Sequence, residues 1–307
     1  MKVKELLRDK AQKHKDKPAV IFKEGAITFS ALYEGVKGLA YALGEKGVHK
    51  GDKVAIFLPN CPQYIVSYLS LFSIGAVVVP LDFMLTENEL INFIGHSDAS
   101  VLIARPKKDV NFQAIRASCP QLQKLILLED DETSFSQDSS VLSLNALLAD
   151  RHEPVLTEIK DCDPAAIFYT SGSTGHPKGV LLNYGHLDNP VRCIKDFLDV
   201  KDTDSYLCAG VPFSHIGGLD YMIFMLAFGS TLVLMDRFHP LESLKNIEKH
   251  KVTIFCIVPS MFVAILSLKA CDRYDLSSLR YAVVFGAPSS PALLKRFHTN
   301  SAPTPVF

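Results

Sequence analysis

Short, almost wholly apolar runs alternate along this chain with segments of helical period, and that alternation restricts its fold more than any other feature. Lys53–Leu58, Ala76–Pro80 and Ser100–Ala104 carry so little polarity that strands built from them must be covered on both faces. Gln63–Ser73 and Glu87–Gly95 lie between them and read as helices, the β-α-β order of a parallel sheet. Upstream, residues 3–14 read as a helix, and Ala19–Phe22 with Ala26–Phe29 as a hairpin about Gly25. Ser30 is the expected cap of a helix in which Leu32, Val36, Leu39, Ala40 and Leu43 recur until Gly44 and Gly47 stop it. Downstream, strands are expected at Ala165–Tyr169, Gly179–Leu182, Ser205–Ala209, Ser230–Leu234, Val252–Val258 and Tyr281–Phe285. Helices are expected near 184–197, 217–228, 240–250 and 259–269. The polar tract DETSFSQDSS at 131–140 predicts a solvated loop. The expected fold is α/β: two associated β-α sub-domains, over 1–160 and 161–307, with mostly parallel sheets covered by helices.

Composition narrows the function classes. Thirty-two Lys and Arg against 33 Asp and Glu leave no basic field for a nucleic-acid backbone. The N-terminal MKVKELLRDKAQKHKDK is charged with no apolar stretch behind it, which argues against a secretory signal and for the cytoplasm. Seven scattered cysteines, with no CxxC pair, predict buried free thiols rather than disulfides or a zinc site. The apolar tracts 64–85 and 221–235 are interrupted by Ser, Gly, Thr or Pro and fall short of a membrane span.

The stretch that carries chemistry is YTSGSTGHPKGV at 169–180. Glycines let backbone N–H groups approach an anion, hydroxyls add donors, and a lysine supplies a point charge for phosphate oxygens. A Walker A loop is excluded because His176 and Pro177 separate Gly175 from Lys178, and Gly179 follows where Ser or Thr is required. Gly-Val-Leu-Leu after Lys178 suits a strand, so the loop is expected to join two strands and to be mobile. A plain hairpin turn takes two to five residues and needs neither the hydroxyl run nor the lysine.

This stretch resembles the signature of the adenylate-forming superfamily, which includes acyl-CoA synthetases, peptide-synthetase adenylation domains and luciferases. Residues 27–43, ITFSALYEGVKGLAYAL, and 71–90, LFSIGAVVVPLDFMLTENEL, resemble its early segments. VPFSHIGGL at 211–219 is similar to its Pro-x-x-His region, and FGAPSSPALL at 285–294 to its Gly-Ala-Pro turn. The likeness covers nearly the whole chain in the family's order.

The resemblance implies an enzyme that makes acyl-AMP and pyrophosphate from a carboxylic acid and ATP, with Mg²⁺, and then forms a thioester with coenzyme A or a carrier protein. It places Thr170, Ser171, Gly172, Ser173, Thr174, Gly175 and Lys178 on the β- and γ-phosphates, with Lys178 also catalytic. It places catalytic His215 near the substrate carboxylate, and Gly286, Ala287 and Pro288 against the adenine. A histidine at 215, where the amino-acid-activating branch holds an aspartate, turns the expectation towards fatty or aryl acids. Met222, Ile223 and Met225 read as core at helical spacing, with an acyl pocket as the alternative. No metal ligand is assigned within the chain. Thr304-Pro-Val-Phe307 stops short of the family's aromatic-Gly-x-Thr-Glu strand, ribose-binding aspartate, hinge and C-terminal lysine domain. The chain is therefore expected to be a fragment, inactive or nearly so in the complete reaction. A carrier-protein adenylation module and a non-catalytic nucleotide-binding protein are the alternatives, and a homo-oligomer is left open.

Overall fold

The computed structural model describes residues 2–129, 139–154, 157–170, 178–268, 273–288, 290, 295 and 304–306. Helix α1 (Val3–Lys13) leads into strands β1 (Pro18–Phe22) and β2 (Gly25–Thr28), and α2 (Phe29–Glu45) follows directly. The hairpin turns at Lys23 and Glu24 rather than about Gly25, with Lys23 at a left-handed φ of 55° and Gly25 already in the strand. The cap of α2 is Thr28, not Ser30: its Oγ1 accepts from the Ala31 N–H at 3.1 Å, while Ser30 lies inside the helix.

Next come β3 (Lys53–Phe57), α3 (Pro62–Ile74), β4 (Val77–Pro80), α4 (Glu87–Ser97) and β5 (Val101–Ala104), the alternation read from the sequence. Helix α4 starts at a reciprocal cap, in which the Thr86 N–H donates to the Glu89 carboxylate at 2.8 Å and Thr86 Oγ1 accepts from the Glu89 N–H at 3.4 Å. Sequence reading missed α5 (Phe112–Ser118), β6 (Lys124–Leu127), β7 (Val141–Ser143) and α6 (Leu144–Leu148), which are too short to establish a period. Of the polar tract, 131–138 lies outside the described residues. Strands β8 (Pro164–Thr170) and β9 (Lys178–Asn183) flank residues 171–177, and a 3₁₀ turn over Tyr184–Asp188 leads into α7 (Asn189–Phe197). The remainder is β10 (Ser205–Ala209), α8 (Ile216–Phe228), β11 (Thr231–Met235), α9 (Pro240–His250), β12 (Ile254–Ile257), α10 (Pro259–Leu266), β13 (Tyr281–Val284) and β14 (Thr304–Val306).

Among the described residues the strands form two seven-stranded sheets, ordered β7-β6-β5-β3-β4-β8-β9 and β14-β13-β12-β10-β11-β1-β2. Among the described residues only the hairpins β1–β2 and β8–β9 are antiparallel, so the α/β class with mostly parallel sheets is what the chain adopts. Neither sheet follows a division at residue 160. β1 lies beside β11, with Val20 opposite Leu232, and β8 lies beside β4, with Val78 opposite Ala166. Each half of the sequence thus completes the other's sheet, which ties the two units together.

Strand alternation sorts side chains into layers. Val54, Ile56 and Val78 of the first sheet, and Val20, Cys208, Leu232 and Ile254 of the second, face one central core shared with α2, α3 and α8. Ala55, Phe57 and Val79 face outwards against Leu90 and Ile94 of α4, while Leu207, Val233 and Phe255 meet Leu244 of α9 and Phe262 of α10. Helix α3 is buried from Tyr64 to Ile74, as expected of a helix apolar on every side. The two apolar tracts become α3 with β4 and α8 with β11, and among the described residues no helix is long and apolar enough to cross a membrane. Cys61, Cys119, Cys208 and Cys256 are buried free thiols, whereas Cys162, before β8, and Cys193, on α7, are exposed, and Cys271 lies outside the described residues.

Candidate functional site

Topology alone locates a crevice. β10 connects to β11 on one side of it, while β12 connects to β13 on the other, so the chain diverges at the C-terminal ends of β10 and β12. β3 and β5 do the same in the first sheet. Such switch points leave an opening beyond the strand ends where ligands bind in open α/β sheets. Residues 58–61 after β3, Asp82 after β4, Thr170 at the end of β8, residues 210–215 after β10 and 285–288 after β13 all sit at such ends.

Asn60 joins the two edges. Its Nδ2 donates to the Val211 carbonyl at 2.8 Å, and its Oδ1 accepts from the Phe213 N–H at 3.1 Å, so one buried amide imitates a strand partner for the 211–213 segment. Phe213 is fully buried with its ring edge-on to Tyr64 at 5.4 Å. The segment turns at Gly210, whose φ is 78° and where an added Cβ would lie 2.2 Å from the Phe238 backbone nitrogen. Gly218 then lets α8 approach the same segment, since a Cβ there would stand 2.2 Å from the Pro212 carbonyl oxygen. Asn60 escaped the sequence reading, although an amide placed just after an apolar strand is the kind of buried polar group that demands partners.

This scaffold presents His215 at the N-cap position of α8. Its side chain does not cap the helix, and Nε2 lies 3.8 Å from Asp82 Oδ2, an ion-pair distance longer than a hydrogen bond. Asp82 is fixed in turn by accepting from the Met84 N–H at 2.8 Å. The Asp82 carboxylate raises the pKa of His215 against the opposing effect of burial, and His215 holds Asp82 below the ordinary carboxylate value. The histidine's contribution to stability is complete below its ordinary 6.5 and vanishes as pH rises past the raised value. The aspartate's is complete above 3.8 and vanishes as pH falls past the lowered value. The pair is therefore fully formed between those ordinary values, with a stability effect under about 1 kcal/mol because both side chains meet solvent. Asp82→Asn is expected to bring the His215 titration, followed by NMR of the imidazole, to lower pH; an unmoved titration would show that Asp82 does not control it.

Thr170 and Lys178 face each other at the open end of the β8–β9 hairpin, and both are exposed. Beneath them Gly179 pairs with Tyr169, whose hydroxyl lies 2.8 Å from His96 Nδ1, so the stem is pinned to α4. Ser171, Gly172, Ser173, Thr174 and Gly175 lie outside the described residues. Gly286, Ala287 and Pro288 form an exposed turn, with Gly286 at φ 81°. A Cβ on Gly217 would stand 3.4 Å from the Phe285 ring, so this turn lies beside the first turn of α8 and hence near His215. Met222, Ile223 and Met225 are all fully buried in the central core.

A family model described as "AMP-binding enzyme" matches residues 7–306. The chain is 30% identical to a long-chain-fatty-acid–CoA ligase of Bacillus subtilis (strain 168), over 95% of this chain and 56% of the relative. It is 31% identical to a feruloyl-CoA synthase of Amycolatopsis sp, over 89% of this chain and 52% of the relative. The inhibitor-bound N-terminal domain of FACL13 from Mycobacterium tuberculosis superposes with a TM-score of 0.88 at 25% identity, covering 99% of this chain and 75% of that one. The chain spans about half the length of the curated relatives it matches. The match over residues 7–306, in a fold that brings Asn60, Asp82, His215 and the 286–288 turn to one crevice, shows that this chain belongs to the AMP-binding enzyme family.

Proposed function

We propose that this chain is the ATP- and acyl-binding part of an AMP-forming acid–thiol ligase acting on a fatty or aryl carboxylic acid. The convergence of both sheets' C-terminal edges on His215 carries the reading, because it sets a histidine whose protonated form Asp82 favours next to the 286–288 turn, with Asp82 itself beside the hairpin that bears Lys178. In the first step a carboxylate oxygen attacks the α-phosphorus of ATP, the bond to the bridging oxygen breaks, and pyrophosphate leaves. Two anions must meet, so fixed positive charge lowers the barrier. Lys178, with Thr170 and residues 171–175, holds the β- and γ-phosphates; His215, whose protonated form Asp82 favours, faces the incoming carboxylate; Gly286, Ala287 and Pro288 give the adenine a surface without large side chains. The acyl group then passes to the thiol of coenzyme A with release of AMP.

Mg²⁺ bound to the nucleotide would neutralise phosphate charge. No cluster of three or more His, Cys, Asp or Glu side chains suited to a metal occurs among the described residues, so no step is assigned to the ion through them. The test is AMP release by the protein in its natural full length. Release requiring both a fatty or aryl acid and coenzyme A supports the reading; release requiring a carrier protein instead, or no AMP with any acid, contradicts it.

A further inference from the structure

Helix α8 carries a carboxyl group with an enclosed oxygen that no described residue satisfies. Asp220 Oδ1 is closed off from solvent and has no hydrogen-bond partner among the described residues. Burial pushes its carboxyl up to about 7. The titratable groups it influences are the Cys256 thiol and the Tyr221 phenol, with Cys208 and Tyr206 beside those two; burial raises all four, and none is a cation that could balance a carboxylate. A carboxyl oxygen enclosed in this way without a partner is costly to the fold and calls for an explanation.

Position supplies one. Asp220 follows Gly217 by three residues, and side chains at that spacing share a helix face. Gly217 abuts the Phe285 ring, and Asp220 stands close enough to the Cys256 thiol to act on it, so this face of α8 looks towards the ends of β12 and β13. His215 and Gly286–Pro288 stand at the same strand ends, one turn of α8 above Asp220. We propose that Asp220 is a specificity-determining residue at the floor of the acyl cleft, and that the acid taken there carries a hydroxyl or amino hydrogen-bond donor remote from its carboxylate. This rests on the acyl-adenylate reading above. The carboxyl, ionised or not, keeps an acceptor oxygen for the donor, and a plain hydrocarbon leaves it unpaired.

The test is calorimetric titration of the chain with non-hydrolysable acyl-sulfamoyl adenosines in matched sets: plain, hydroxylated and amino-substituted alkyl and aryl acyl groups. Wild type is expected to prefer a donor-bearing member over its plain counterpart by about tenfold to a hundredfold. Asp220→Asn, which keeps an acceptor oxygen, should retain part of that preference, and Asp220→Leu should abolish it while raising the melting temperature of the unliganded chain. Equal binding of plain and donor-bearing mimics, or a preference that survives in the leucine variant, overturns the role of Asp220 and leaves the acyl-adenylate reading standing. No binding of any mimic by a folded chain overturns both.

Discussion

Asn60→Ala is expected to lower the unfolding free energy by about 2–4 kcal/mol, because it strips partners from two backbone groups deep between the sheets. The Phe213 N–H loses its acceptor, and the Val211 carbonyl keeps the weak hydrogen bond that the Cys208 thiol donates at 3.5 Å. Neither group can turn to water, since Asn60 is 5% exposed and Phe213 fully buried. Asn60→Asp, nearly the same shape, should cost as much or more, because an acceptor oxygen would then face the Val211 carbonyl. Denaturant unfolding measures both. A loss below about 0.5 kcal/mol, the range of an ordinary surface change, would mean that the amide does not hold the 211–215 segment.

Lys178→Ala is expected to weaken ATP binding about tenfold to a hundredfold, the loss of one charge-assisted bond to phosphate. Folding should be untouched, since Lys178 is exposed at the mouth of the hairpin. The effect should be selective: an acyl-adenylate mimic lacks the β- and γ-phosphates and should bind the variant nearly as well as wild type. Parallel titrations with ATP and a mimic separate the two. Equal losses for both ligands, or none for either, would remove Lys178 from the pyrophosphate.

Much of the fold was legible because its signals are local. Runs such as Val54–Phe57 and Val77–Pro80 can only be buried strands, and Thr86 with Glu89 announces the start of α4. Which sheet each strand joins was not legible. The pairing of β1 with β11 spans some 200 residues of sequence, and nothing in PAVIF says which distant strand it will lie beside. The site divides the same way. His215, Lys178 and the 286–288 turn were found from their own segments, whereas Asn60 and Asp82 take their meaning from partners over 100 residues away. Asp220 was passed over as part of an apolar helix, and only burial without a partner distinguishes it.

A crystal structure of the chain bound to a non-hydrolysable acyl-adenylate tests most directly whether the convergence of the two sheet edges is the binding site. The account predicts the adenine against Gly286–Pro288, the acyl carbonyl beside His215 and the acyl body running down α8 towards Asp220. A ligand seated elsewhere on the chain, or an empty crevice in crystals grown at saturating ligand, would contradict it.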